Sequence, residues 1–177
     1  MKKLCMILPL ALILCFMVGC QDKEAMAKLE EFRAQAALEE QNKNIMIRWI
    51  EEIEKGNYEA WDEICSLEFV FHIAGMSMNL EEHKQGNRPL LVAFPDIKHE
   101  INDIVAEADK IIIRATLTGT HEGEYMGIPP TGNKINYTAM VEARFSEGKV
   151  VEAWCVADLL TFMEQLGLEL KPKQAEK

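Results

Sequence analysis

The stretch Gly119–Asp158 reads GTHEGEYMGIPPTGNKINYTAMVEARFSEGKVVEAWCVAD. It starts at the end of a strand pattern, passes through a glycine-rich corner and the Pro-Pro-Thr-Gly turn at 129–132, and continues as two more strands. A strand places residues i, i+2 and i+4 on one face, so Trp154, Val156 and Asp158 are expected to project together. If that face lines a pocket, Asp158 is a carboxylate in an apolar setting, which suits a general base.

Around this stretch, helical patterns precede strand patterns. Apolar residues at helical spacing predict a helix that begins the domain near Asn44, and a second short helix is expected over Tyr58–Ile64. A third helix is expected over Leu80–Ala93, interrupted near Gly86 and Pro89. The predicted strands are 68–74, 97–106, 110–120, 134–145 and 149–156, and a closing helix covers 159–166. This order predicts one α+β domain, in which a curved antiparallel sheet and the N-terminal helices form a conical pocket (an α+β barrel).

The N-terminus has the pattern of an export signal. Lys2 and Lys3 precede an apolar run, and Gly19 stands directly before Cys20. The run 17–20 resembles the lipobox of bacterial lipoproteins, which implies cleavage after Gly19 and a lipid on Cys20. We therefore expect a signal peptide over 1–19, a polar helical linker over 20–43, the domain over 44–168 and a polar tail over 169–177. The protein is expected to be exported and lipid-anchored to the cell membrane or the outer membrane.

The charge of the chain argues against two kinds of partner. The sequence has 19 basic and 29 acidic residues, a net charge of −10, and loss of Lys2 and Lys3 with the signal leaves 17 basic residues and a charge of about −12. We expect no nucleic-acid partner, because the phosphates would be repelled. Membrane attachment is expected through the lipid anchor only, since anionic lipids would be repelled as well.

Metal and disulfide chemistry are not indicated by the sequence. The four histidines are scattered, and no CxxC or HExxH pattern occurs. After removal of the signal and lipidation of Cys20, the remaining cysteines are Cys65 and Cys155. We expect them to be buried thiols, although an exported compartment would permit a disulfide.

A set of linked motifs over 44–167 resembles the SnoaL-like polyketide cyclases, also called ester cyclases. That family has the α+β fold of nuclear transport factor 2 and ketosteroid isomerase. The resemblance implies that Asp158 is the acid/base in an intramolecular aldol condensation that needs no metal or organic cofactor. It also implies a small-molecule ligand and a homodimer or higher homo-oligomer. The motifs are Phe94-Pro95-Asp96, Arg114 before Gly119-Thr120-His121-Glu122-Gly123, Gly127-Ile128-Pro129-Pro130-Thr131-Gly132, Arg144-Phe145 with Gly148-Lys149, Trp154 with Asp158, and Gln165-Leu166-Gly167.

Four of the candidate site residues also have a structural alternative. Asp158 is a favoured N-cap for the closing helix, and Trp154 could be a core residue. His72 could be a hydrogen-bonded core histidine, and His121 could hold the glycine corner together. The candidate ligand contacts are Trp154, His72, His121, Val156 and Met140.

Three functions remain open from the sequence. The first is cofactor-free cyclisation or isomerisation of a small apolar or carbonyl-bearing molecule, with Asp158 as acid/base. For this role, a carboxylate desolvated by Trp154 should have a pKa raised toward neutrality. The second is a binding module that uses the same cavity without catalysis. The third is a domain whose sheet face forms a homodimer.

Overall fold

The computed structural model describes residues 7–169, with side-chain environments from residue 23 onward. By its internal contacts the chain divides into two units, Met1–Leu38 and Glu39–Lys177. The first six residues of the expected signal peptide, the side chain of Cys20 and the tail beyond residue 169 lie outside the described part. None of the described helices combines the length and the apolar character that a membrane span requires.

The helices follow the predicted order. They are α1 (Ile7–Lys55), a 3-10 turn (Tyr58–Ala60) that leads into α2 (Trp61–Ile64), α3 (Leu80–Ala93) and α4 (Leu159–Gln165). The predicted break in α3 is wrong. Asn79 and Glu82 form a capping box that starts this helix, and it then continues through Gly86 and Pro89. Pro89 removes one helical N–H donor, but this turn is largely exposed, so water can satisfy the carbonyl that loses its partner.

One curved six-stranded sheet forms the body of the second unit. Its order is β2-β1-β6-β5-β4-β3, so the described strands leave two free edges and do not close into a barrel. All neighbours are antiparallel except β1 and β6, which run parallel, so the expectation of a wholly antiparallel sheet is wrong at this pair. The α+β class is confirmed. The strands are β1 (Cys65–Ile73), β2 (Met76–Asn79), β3 (Lys98–Glu107), β4 (Lys110–Thr120), β5 (Lys134–Ser146) and β6 (Lys149–Ala157).

Buried and exposed residues alternate along the strands, which gives the sheet two different faces. We call the face that bears the buried residues the concave face and the opposite one the outer face. On β4 the concave face carries Ile111, Ile113, Ala115 and Leu117, all buried. Helical residues such as Trp61 complete the same hydrophobic core.

The glycine corner after β4 docks on the end of α3. The backbone N–H groups of Glu122 and Gly123 both donate to the carbonyl of Ala93, at 2.8 and 3.1 Å. A Cβ at Gly123 would lie 2.6 Å from the carbonyl oxygen of Val92. This close approach explains why the corner needs glycine at this position.

Candidate functional site

Trp154 and His72 lie together, but on the outer face of the sheet. Their rings stack with centroids 5.2 Å apart. His72 Nε2 lies 3.0 Å from a carboxylate oxygen of Glu152, and His72 Nδ1 lies 2.9 Å from Ser77 Oγ. The other oxygen of Glu152 accepts a bond from Arg144, at 2.8 Å. These two bonds, from Arg144 first and then His72, hold the pKa of Glu152 below its ordinary value.

Val156 and Met140 form a directly opposed pair on β6 and β5. They also belong to the outer face, and 74% of Val156 and 47% of Met140 are exposed. Four of the five predicted ligand contacts are therefore brought together, but on the face that points away from the core.

The outer face also bears a cleft where the sheet is irregular. Residues 66–69 of β1 are not paired in register with β6. At the same position β6 has one extra residue, between Val150 and Glu152, where it pairs with β5. The cleft has a volume of about 630 Å³. Its charged groups are Glu68, Arg144, Lys149 and Glu152, and its apolar wall includes Leu67, Val70 and Val151.

Asp158 caps α4 and is exposed. One carboxylate oxygen accepts the backbone N–H of Thr161 at 3.0 Å, and the other accepts the Thr161 hydroxyl at 2.7 Å. These bonds lower the pKa of Asp158, so the predicted rise toward neutrality is wrong. The physical reason is that this carboxylate is solvated and bonded to donors rather than desolvated by Trp154. Its catalytic role stays a prediction.

His121 is fully buried at the end of β4. Its Nδ1 accepts the backbone N–H of Thr131 at 3.3 Å and lies 3.0 Å from the hydroxyl of the same residue. Its backbone bonds to Asn133 and Gly132 across the corner, each at 2.9 Å. These contacts correspond to the corner-holding alternative. Its Nε2 is buried without a hydrogen-bond partner among the described residues.

The concave face has a row of small side chains across its middle. Ala115, Ala139 and Ala157 stand opposite one another on β4, β5 and β6, and Ile101 of β3 completes the row. We call this the alanine row. Ala157 stays only partly buried although it faces inward, as do Val141 and Cys155 in the next row. Ala115 and Ala139 are buried, so the partly exposed part of the concave face lies at Ala157, Val141 and Cys155.

Polar groups flank the alanine row. Tyr137 is 8% exposed, and its hydroxyl makes no hydrogen bond to any described residue, yet it is not among the polar atoms sealed from solvent. Burial raises the pKa of Tyr137, so its phenol is a neutral donor at pH 7. Burial also raises the pKa of Cys155 to about 11, which keeps it a thiol. Cys65 and Cys155 are both free thiols.

The third polar group on the concave face is a histidine paired with a glutamate. His99 on β3 stands opposite Leu117, which in turn stands opposite Tyr137. His99 Nδ1 lies 3.3 Å from a carboxylate oxygen of Glu54 on α1. The sequence does not indicate His99, Glu54 or Tyr137 as site residues. The signal available for His99 and Tyr137 is strand alternation, which places both on the same inward face as Leu117. Among the described residues no group of three or more histidine, cysteine or acidic side chains is arranged to hold a metal.

The family model described as SnoaL-like polyketide cyclase matches residues 44–166. The chain belongs to the SnoaL-like polyketide cyclase family. A search of curated proteins found no match to this chain.

Solved structures extend this relationship to the fold. AclR from Streptomyces galilaeus, described as a proposed hydroxylase, is 29% identical with a TM-score of 0.69, over 76% of this chain and 87% of AclR. IdmH from Streptomyces antibioticus, described as a proposed polyketide cyclase, is 28% identical with a TM-score of 0.65, over 72% of this chain and 99% of IdmH. A SnoaL-like protein from Jannaschia sp. CCS1 is 24% identical with a TM-score of 0.67, over 75% of this chain and 96% of that one, and supports the fold alone.

The relatives share the SnoaL-like fold while their descriptions name different reactions. A hydroxylase and a cyclase are both proposed for proteins that resemble this chain to the same degree. The family therefore fixes the scaffold, and the reaction has to be argued from the side chains of this chain.

Proposed function

We propose that this protein binds a small carbonyl-bearing molecule on the concave face of its sheet and promotes cofactor-free proton transfer in it, as in a cyclisation or isomerisation. The observation that carries the proposal is the alanine row with the unpartnered phenol of Tyr137 beside it. Small side chains leave room for an apolar ring. A neutral phenol donates a hydrogen bond to a carbonyl oxygen, and more strongly to the enolate that forms when a neighbouring proton leaves.

The test compares 2-tetralone, a bicyclic ketone, with tetralin, which has the same rings and no carbonyl. In titration calorimetry the wild type should prefer the ketone, and Tyr137→Phe should remove most of that preference. Ala157→Leu should weaken both ligands, because it fills the alanine row. Thr138→Leu, an exposed outer-face neighbour, is the matched control and should bind as the wild type does. Equal binding by the wild type and Ala157→Leu would contradict the proposed location.

Asp158 is a second candidate for the acid/base in this proposal, the one that the family resemblance implies. Asp158→Asn keeps an N-cap side chain, so it separates the chemical role from the structural one. If Asp158 moves the proton, this variant should retain 2-tetralone binding and lose turnover.

We also propose that the outer face forms a homodimer. The supporting observation is the exposed apolar surface of Trp154, Val156 and Met140 on a strand-built face. The charges next to it are already paired within the chain, Arg144 with Glu152 and Arg114 with Asp103. A second copy would therefore meet little like-charge repulsion, in spite of a net charge of −10.

Anchoring through a lipid on Cys20 is a further part of the proposal. Its support is the sequence pattern at 17–20. Metabolic labelling with an alkyne fatty acid should tag the wild type and leave Cys20→Ser untagged. Labelling of both proteins alike would contradict it.

A further inference from the structure

A carboxylate orients one imidazole on the concave face. Glu54, in the last turn of α1, places one carboxylate oxygen 2.5 Å from the backbone N–H and 3.3 Å from the Nδ1 of His99. The other oxygen lies 2.9 Å from the Nζ of Lys98. Both Glu54 and His99 are largely shielded from solvent, with 17% and 12% of their side chains exposed. Glu54 therefore holds His99 through both the backbone and the ring of the histidine.

This arrangement fixes the tautomer of His99. An ionised carboxylate only accepts hydrogen bonds, so the bond to Glu54 puts the proton on Nδ1 and leaves the lone pair on Nε2. Burial tends to raise the pKa of Glu54, but the bonds from Lys98 and from the His99 backbone outweigh it and keep the carboxylate ionised. Burial lowers the pKa of His99, which keeps the ring neutral at pH 7.

The free nitrogen is open to a ligand. His99 Nε2 makes no hydrogen bond to any described residue, and it is not among the buried polar atoms sealed from solvent. His99 and Tyr137 point to the same face two strands apart, which corresponds to about 10 Å between their backbones. Leu117 of β4 stands between them, and the alanine row is the next inward row along the strands. A small ketone would therefore lie over Leu117, with one ring on either side.

We infer that His99, oriented by Glu54, is the general base that removes the proton next to the carbonyl of the bound molecule. This inference rests on the proposed function and names the group that carries it out. The C–H bond breaks, its electron pair forms the enolate, and the proton moves to His99 Nε2. Tyr137 donates to the enolate oxygen, while the Glu54 carboxylate stabilises the imidazolium. In a cyclisation the enolate carbon then bonds to a second carbonyl carbon, and the new alkoxide takes the proton back from His99. No oxidant or reductant is needed.

The experiment measures deuterium exchange into the α-positions of 2-tetralone in D2O, followed by NMR, with the full chain. His99→Ala should lower kcat by about 100-fold or more, the usual size of a general-base contribution, with KM little changed. Added imidazole should restore part of the rate in His99→Ala, which it would not do if His99 were only structural. Glu100→Gln, an exposed neighbour on the same strand, is the control for Glu54→Gln and should exchange at the wild-type rate.

The pH profile supplies the second readout. The wild-type rate should rise with pH through the pKa of His99 and then level off. Among the described residues, the charged groups that act on this ring are Glu54, which raises its pKa, and Lys98, which lowers it. Glu54→Gln should therefore move the rising limb to lower pH and reduce the plateau, since the base becomes weaker. Glu54 is a positioning residue in this scheme, so its loss should cost less than that of His99.

Failure of the inference and failure of the proposed function give different results. If the wild type binds 2-tetralone and exchanges it, while His99→Ala is unaffected or Asp158→Asn alone loses exchange, His99 is not the base. If the wild type neither binds nor exchanges 2-tetralone, the proposed function is contradicted and the inference falls with it. Melting curves of every variant exclude loss of fold as the cause.

Discussion

Trp154 lies flat against His72 on the outer face, with an angle of 16° between the ring planes. His72 is held in turn by Ser77 on one side and by Glu152 on the other. The indole therefore rests on a ring that two neighbours fix in place, and Val156 follows two residues later on the same face. A rigid aromatic beside exposed aliphatic side chains is typical of the centre of a protein interface.

The outer face is expected to lose its self-association when a charge enters its apolar part. Val156→Glu should weaken the dimer at least about 10-fold, because an unpaired carboxylate would be buried on association. Val92→Glu is the matched control, since Val92 on α3 is exposed to a similar extent, 71% against 74%. Sedimentation velocity over a concentration series measures the change. A wild type that stays monomeric, or two variants that behave alike, would contradict the homodimer.

Asp158→Ala is expected to lower the melting temperature at pH 7, because the N-terminal donors of α4 lose their acceptor. The folded pKa of Asp158 lies below the ordinary value of 3.8. Its contribution to stability is therefore complete above that ordinary value and disappears as the pH falls through the folded pKa. Melting curves of the wild type and Asp158→Ala should differ at pH 7 and converge in strong acid. A difference that persists there would show a contribution unrelated to the charge.

Two glycines are expected to respond oppositely to alanine. Gly123→Ala should cost about 1–3 kcal/mol of unfolding free energy, because its Cβ would meet backbone atoms of Val92 and Ala93 at 2.6 and 3.0 Å. Gly86→Ala has open space around it within α3 and should gain up to about 1 kcal/mol from helix propensity. Urea denaturation measures both. A neutral Gly123→Ala would mean that the corner is not docked on α3.

Acid sensitivity is expected from the buried histidines. Burial lowers the pKa of His83 from 6.5 to about 4 and also lowers that of His99. Each histidine favours the folded state fully above its unfolded pKa, and this stability is lost as the pH falls from 6.5 toward the folded pKa. For His83 the loss by pH 4 is on the order of 3 kcal/mol.

His83→Phe tests this origin of acid sensitivity. The new ring keeps the stacking on Phe71, whose centroid lies 3.8 Å from that of His83. Urea denaturation at pH 7 and pH 4.5 should show a smaller loss of stability in the variant than in the wild type, with the remainder due to His99 and the carboxylates. Equal losses would show that His83 is not buried in its neutral form.

Local patterns predicted most elements because each strand and helix carries its own period. The predicted strand over 110–120 and the helix over 159–166 agree with β4 and α4 to within a residue. No strand pattern predicts β2, because Met76–Asn79 is four residues long and has no β-branched side chain. The parallel contact of β1 with β6 joins segments about 80 residues apart, which no local pattern encodes.

The site was harder to predict than the fold because β6 is apolar on both faces. The pattern predicts Trp154 and Val156 on a pocket-lining face, whereas the concave face carries Ala153, Cys155 and Ala157. The inner face of β6 therefore carries the smaller side chains, the reverse of what side-chain size predicts. No local pattern indicates His99, because its partner Glu54 lies 45 residues away in the chain, on α1.

The most direct test of the concave-face site is methyl NMR of protein labelled at its alanine, leucine and valine methyls and titrated with 2-tetralone. The methyl signals of Ala115, Ala139 and Ala157 should shift together and show contacts to the ligand. Unchanged alanine signals, with shifts at Leu67, Val70 and Val151 instead, would place the ligand in the outer cleft and contradict the proposed site.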